Sequence, residues 1–387
     1  MKNKTVIKIC AVVLALATAV IPARIFGASA AESEALSTQA RAAMLLDYDT
    51  GTVIYENNSL ARQPIASMVK IMTLLLAFEQ ADAGLLDYGA DIVVSENASS
   101  MGGSQAFLDA GSTYKANELL QSIVVASAND SCVAIAEHIS GSVEGFVEKM
   151  NLRAAELGME NTHFVNCTGL PAEGQYCCAR DVATMARELF SHQKFFEYSG
   201  VWMYDFAHPS GRTTRLTNTN KLIRAYEGCD GGKTGFTNEA MSCLAATAKR
   251  GNTRLISVVV GASDSKKRNA EICKLFNYGF ANYETKQIVR SGDSLEETAS
   301  VSGGKSKEVG VVYGGSFYAF DKKSASDEYS VRCESLSVKA PVSEGDVIGK
   351  ATVFKGEEPV CEIDLLASAS VDKQGYIDIV DEFISEW

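Results

Sequence analysis

Histidine is nearly missing from this chain. His138, His163, His192 and His208 are the only four in 387 residues, and the sequence holds neither a Gly-x-Ser-x-Gly elbow nor a His-Glu-x-x-His pair. A Ser-His-Asp hydrolase and a zinc metallohydrolase of the common kind are excluded on inventory. Positive charge is also short. The chain carries −12 overall, and loss of residues 1–30, with four cations and no acid, would take it to −16. Nucleic acid and anionic lipid are poor partners for such a surface, so an anionic substrate must be met by cations gathered in a cleft. Ten cysteines are too few for a disulfide scaffold; with Cys10 in the leading segment, nine remain in the mature chain, and an odd count leaves at least one free thiol.

What is present starts with a secretory signal. Lys2, Lys4 and Lys8 precede the apolar run Ile9 to Ile21, Pro22 and Arg24 interrupt it short of a membrane span, and Ala28-Ser29-Ala30 offers a cleavage site, so export is expected. The run AAMLL from Ala42, the turn Asp47 to Gly51 and Val53-Ile54-Tyr55 read as a β-hairpin. Ser67 to Ala83, free of glycine and proline, reads as a buried helix with Ser67 in its first turn, and Val143 to Leu157, stopped by Gly158, as a second helix. Cys243 to Ala248 and Leu255 to Val260 form another hairpin. After Tyr283, short apolar runs broken by glycine and serine suggest a small all-β domain. The division is therefore 1–30 signal peptide, 31–285 catalytic domain, 286–374 β domain and 375–387 a short acidic amphipathic tail.

Three motifs carry chemistry. In Ser67-Met68-Val69-Lys70, helical spacing places the Lys70 amine on the face of the Ser67 hydroxyl, where burial, the helix dipole and a second cation would leave it neutral enough to take a proton. Ser127-Ala128-Asn129 can relay a proton and bind an amide, or simply cap a helix. Lys233-Thr234-Gly235 offers a cation and a hydroxyl to a carboxylate, and a glycine that lets a substrate backbone lie against a strand edge. Each motif is common alone. Together and in this order they are the set of the penicillin-binding proteins and class A β-lactamases.

On these residues, and on AAMLLDYDTGTVIYENN, FLDAGSTYKANELLQSIVVASANDS, FVEKMNLRAAELGMENTHFVNCTGL, NTNKLI, DGGKTGFT and KAPVSEGDVIGK, the chain resembles the low-molecular-mass penicillin-binding proteins, the serine-type D-alanyl-D-alanine carboxypeptidases. The resemblance implies an α/β sandwich of the DD-peptidase/β-lactamase type, an antiparallel sheet with helices on both faces and a helical subdomain, followed by the β domain. It implies that Ser67 is acylated, Lys70 is the base and Ser127 passes the proton to departing D-alanine. Asn129 would hold the substrate amide and help position Lys70. Lys233 and Thr234 would face the terminal carboxylate, and the N–H groups of Ser67 and Phe236, beside Gly235, would form the oxyanion hole. Arg268, in KKRNAEICKLFNYGF, matches a recurrent arginine that adds positive potential, the alternative being a surface salt bridge. No cofactor and no metal are implied. The partners would be peptidoglycan stem peptides and, as covalent inhibitors, β-lactams, with peripheral membrane association through the tail left open.

Two departures stand out. Thr219 occupies the middle of Asn218-Thr219-Asn220 where some relatives carry arginine, and Cys177-Cys178 replaces small hydroxyl residues, a change expected to serve packing. A class A β-lactamase is the nearest rival, but the only Glu-x-x-Asn between the second and third motifs, Glu148 to Asn151, falls within the helix ending at Leu157. A non-catalytic sensor of cell-wall peptides or penicillin has no need of Ser67, Lys70 and Lys233 together.

Overall fold

The computed structural model describes residues 36–334 and 336–378, so the signal read at 1–30 and residues 379–387 of the tail read at 375–387 lie outside the described residues. The first hairpin forms as β1 (Ala42–Asp47) and β2 (Val53–Asn57). Asp47 closes its turn by accepting from Thr50 N at 2.7 Å and Thr50 Oγ1 at 2.8 Å. Helix α1 (Lys70–Asp82) follows, then a helical cluster of α2 (Ala116–Ala126), α3 (Asn129–Ser140) and α4 (Val143–Glu156), and then α5 (Ala179–Leu189). The chain returns through β3 (Cys229–Thr237), β4 (Met241–Arg250) and β5 (Thr253–Ala262) to α6 (Ser265–Asn282).

The strands make one antiparallel sheet in the order β2-β1-β5-β4-β3. Side chains alternate across a strand, and both faces are covered. Met44, Leu46, Ala245 and Val258 share a core with residues of α1 and α5, while Leu45, Leu244, Ala246 and Val259 pack with Ile272, Leu275 and Phe276 of α6. Burial on both sides explains why Leu255 to Val260 reads as an unbroken apolar run. β3 is left at the edge, beside the turn that leads into α1.

One sequence expectation is corrected. Ser67 does not lie in the first α-helical turn: residues Ala66–Val69 form a separate 3₁₀ turn, and the α-helix begins at Lys70. Ala66 has φ +49, a left-handed value that no run of Met, Leu and Ile announces. In a 3₁₀ turn, residues i and i+3 eclipse, so Lys70 still lies over Ser67.

From Tyr283 on, the described chain is strands apart from its last residues. Six of them build one sheet around Ala299, Val301, Val309, Val311, Ala351 and Leu365, and a ribbon pairs Tyr283–Val289 with Phe317–Lys322. Thr285 N donates to Thr253 Oγ1 at 2.8 Å, and Lys323 Nζ donates to the Phe280 carbonyl at 2.6 Å, tying this region to the end of α6 and to β5. No helix among the described residues is long and apolar enough to cross a membrane.

Candidate active site

The turn carrying Ser67 is gripped from two sides by glycines. A Cβ on Gly235 would fall 2.5 Å from the Ile65 carbonyl oxygen and 3.2 Å from Ser67 N; one on Gly169, whose φ is +80, would fall 2.1 Å from the Ala66 carbonyl oxygen. The need for glycine at 235 is thus set by the chain's own turn lying against β3, rather than by a substrate strand.

Lys70 and Lys233 are both fully buried. Lys70 Nζ lies 3.1 Å from Ser67 Oγ and donates to the Thr168 carbonyl. Lys233 Nζ donates to Ser127 Oγ at 2.8 Å and to its neighbour's carbonyl, Thr234 O, at 3.1 Å. The centre therefore contains two lysine–serine pairs. Burial pushes the Lys70 amine below its ordinary value, and burial together with the like charges of Lys70 and Arg268 pushes Lys233 well below it. Among the described residues neither amine is hydrogen-bonded to a carboxylate. Asp130, the buried acid one residue beyond Asn129, accepts instead from the backbone N–H groups of Ala106 (3.0 Å), Leu108 (3.1 Å) and Ser131 (2.9 Å).

Ser127 is not a helix N-cap. It ends α2 in the left-handed region at φ +64, and Ala128 starts α3 without a side-chain cap. Asn129 makes no hydrogen bond to Lys70 among the described residues. Its Nδ2 donates to the Gly102 carbonyl at 2.7 Å, and its Oδ1 is buried with no protein partner among the described residues. The group that holds Lys70 is the Thr168 carbonyl, which sequence reasoning missed, since a main-chain oxygen leaves no mark in the residue code.

A cleft of about 370 Å³ runs past these groups, lined by Ser67, Ser104, Ser127, Thr219, Lys221, Thr234 and Arg268. Among the described residues no acid lines it. Arg268 is buried rather than a surface ion pair, and its guanidinium donates to Asn269 Oδ1 at 2.9 Å and 3.1 Å. Thr219, standing where some relatives carry arginine, accepts from Thr234 Oγ1 at 2.8 Å. Phe236 presents an exposed ring on the edge strand. Cys177 and Cys178 are buried, with Cys178 capping α5, and the nine described cysteines are all free. Glu148 lies inside α4, and Asn151 Nδ2 is occupied by the Val147 and Phe164 carbonyls. No group of three His, Cys, Asp or Glu among the described residues is placed to hold a metal.

The Asp130 carboxylate is the brace between α3 and the loop before α2. Asp130→Asn would turn an amide N–H toward backbone donors and lose charge-assisted bonds, at an expected cost of about 2–3 kcal/mol. A thermal melt reads this as a clear fall in Tm; an unchanged Tm would show that the brace is dispensable.

Two family models match the chain: D-alanyl-D-alanine carboxypeptidase over residues 28–264, and the C-terminal domain of penicillin-binding protein 5 over residues 283–373. The chain is 39% identical to the D-alanyl-D-alanine carboxypeptidase DacF of Bacillus subtilis over 355 residues, 91% of either chain. It is 32% identical to DacC of Escherichia coli, covering 91% of this chain and 89% of the other. Among solved structures, penicillin binding protein 5 of Haemophilus influenzae superposes with a TM-score of 0.68 at 30% identity, covering 87% of this chain and 98% of that one.

Proposed function

The chain belongs to the D-alanyl-D-alanine carboxypeptidase family and is a serine-type carboxypeptidase of that kind, and from this premise we propose that Ser67 is its nucleophile and Lys70 its general base. The observation that carries the assignment is the fully buried Lys70 amine, without a counter-ion, 3.1 Å from the Ser67 hydroxyl. A neutral amine there accepts the Ser67 proton as Oγ attacks the carbonyl of the penultimate D-alanine. The N–H groups of Ser67 and Phe236 receive the oxyanion. Collapse breaks the peptide bond, and Ser127, held by Lys233, relays the proton taken up by Lys70 to the leaving nitrogen of D-alanine, which returns Lys70 to the free amine. Water then hydrolyses the ester.

The same reading gives the remaining groups their work. Asn129, two residues beyond the cleft-lining Ser127, holds the substrate amide, a role supported by an Oδ1 that has no hydrogen-bond partner among the described residues. Thr234 and Arg268, which line the cleft, receive the terminal carboxylate together with Lys233, buried behind Ser127, and Gly235 keeps β3 close to the nucleophile. Thr219 leaves room there without adding charge. The family acts on peptidoglycan peptides and binds β-lactams; export through residues 1–30 would deliver the enzyme to them, with 31–285 as catalytic domain, 286–374 as β domain and peripheral membrane contact through the acidic tail left open.

The experiment is covalent trapping. Benzylpenicillin should add one mass equivalent to the protein, and peptide mapping should place it on Ser67. An adduct on any other residue, or none on folded protein, would overturn the assignment.

A further inference from the structure

The segment Asn218-Thr219-Asn220-Lys221 is anchored by its two asparagines, and both are buried. Asn218 Nδ2 donates to the carbonyls of Ser199 and Val201, each at 2.9 Å, and Asn220 Nδ2 donates to that of Gly231 at 3.3 Å. Asn220 Oδ1 accepts from Leu222 N at 3.1 Å. With the asparagines turned into the protein, Thr219 and Lys221 are the members of the segment that line the cleft. Thr219 N donates to the Val125 carbonyl at 3.0 Å, which fixes the segment against the end of α2, two residues before Ser127. The backbone beneath Lys221 is thus fastened, while its side chain is exposed.

Among the described residues the Lys221 ammonium has no hydrogen-bond or ion-pair partner, unlike the other cations of the site. Arg268 donates to Asn269 and to the Cys243 carbonyl, and Lys233 donates to Ser127 and to the Thr234 carbonyl. Thr219 is joined to Thr234 at 2.8 Å, so Lys221 stands two residues along the chain from a group to which the proposed function gives the terminal α-carboxylate. The inference rests on that reading. Thr234, Arg268 and Lys233 suffice for one carboxylate; Lys221 is a further cation beside them, and Thr219, short where some relatives carry arginine, leaves space around it. We infer that Lys221 is a specificity-determining residue for the leaving group, which receives a second carboxylate on the side chain of the terminal D-residue. The enzyme then releases D-glutamate or D-aspartate as well as D-alanine. The bond broken and the ester formed on Ser67 are unchanged, and only the departing amino acid differs. A point charge on a flexible stem suits a side-chain carboxylate whose position varies between the two acids.

The test measures amino-acid release from Nα,Nε-diacetyl-L-lysyl-D-alanyl-D-alanine and from its analogues ending in D-glutamate and D-glutamine. Glutamine matches glutamate in size without the charge, so the ratio of kcat/KM between those two isolates the second carboxylate. The wild type should prefer D-glutamate about fivefold at low salt, the scale of one solvent-facing ion pair, and the preference should shrink as salt is added. Lys221→Met should bring the ratio to about one and Lys221→Glu below one, while Lys221→Arg should keep it above one. Each ratio is read within one protein, so a general loss of folding or activity cancels. A wild type that shows no preference for D-glutamate or releases neither analogue's end residue would overturn the inference, as would a preference that survives in Lys221→Met. A wild type that releases no D-alanine from the first peptide would instead sink the site reading on which the inference rests.

Discussion

Replacing Lys70 with methionine is expected to lower kcat/KM for D-alanine release by about a thousandfold or more, the scale of removing a positioned general base. Methionine keeps most of the buried volume, and the turn at Ala66–Val69 is held by Gly169 and Gly235 rather than by the amine, so Ser67 should stay in place. The pH profile carries a second signature. Lys70 works only as a free amine, and burial lowers its folded pKa from the ordinary 10.5. Wild-type kcat/KM should therefore rise with pH through the lowered value and be lost below it; the residual activity of the variant should lack that limb. Stability follows the same sign. Between the lowered value and 10.5 the unfolded chain binds the extra proton, so stability increases with pH across that window. Lys233 is displaced in the same direction, in part by the Lys70 charge, so removing Lys70 lessens its slope too, and the difference between the two urea-melt profiles reports the coupled pair. A variant with the full acidic limb would show that another group is the base.

Gly169→Ala should be nearly as damaging although it removes no functional group. The new methyl would sit 2.1 Å from the Ala66 carbonyl oxygen, 2.5 Å from its carbon and 2.9 Å from Ser67 N, and all three are main-chain atoms that cannot rotate away. At φ +80 the residue is also strained as alanine. Either the loop retreats, carrying the neighbouring Thr168 carbonyl off Lys70, or the turn shifts and moves the nucleophile. A displacement of about 1 Å costs roughly a hundredfold in rate, and forced overpacking costs about 1–3 kcal/mol. Acylation by benzylpenicillin and a thermal melt should fall together. A variant with wild-type acylation would show that the turn is more compliant than its contacts allow.

The legible part of this protein was local. Ser67, Lys70, Ser127, Asn129, Lys233 and Thr234 announce themselves because catalysis needs particular side chains at short spacings. The hairpins and helices follow from period and turn residues, and the all-β texture after Tyr283 is compositional. What stayed hidden depends on contacts across the chain. Ala66 leaves the helical region because Gly169, about a hundred residues later, and the edge strand at Gly235 press on its turn. The acceptor that orients Lys70 is a main-chain carbonyl. The likeness to relatives made Asn129 a support for Lys70, yet its amide is tied to the Gly102 carbonyl, and Arg268 looked equally suited to the surface until α6 placed it at the cleft. Nothing in the sequence neighbours of Asp130 shows that it clasps the loop at 106–108.

The central claim is that Ser67, served by Lys70, forms the acyl-enzyme that releases D-alanine. The most direct measurement is D-alanine release from a peptide ending in D-alanyl-D-alanine by the wild type and by folded Ser67→Ala and Lys70→Ala. The account predicts turnover by the wild type, none by Ser67→Ala and barely detectable release by Lys70→Ala. Undiminished release by either folded variant would contradict it.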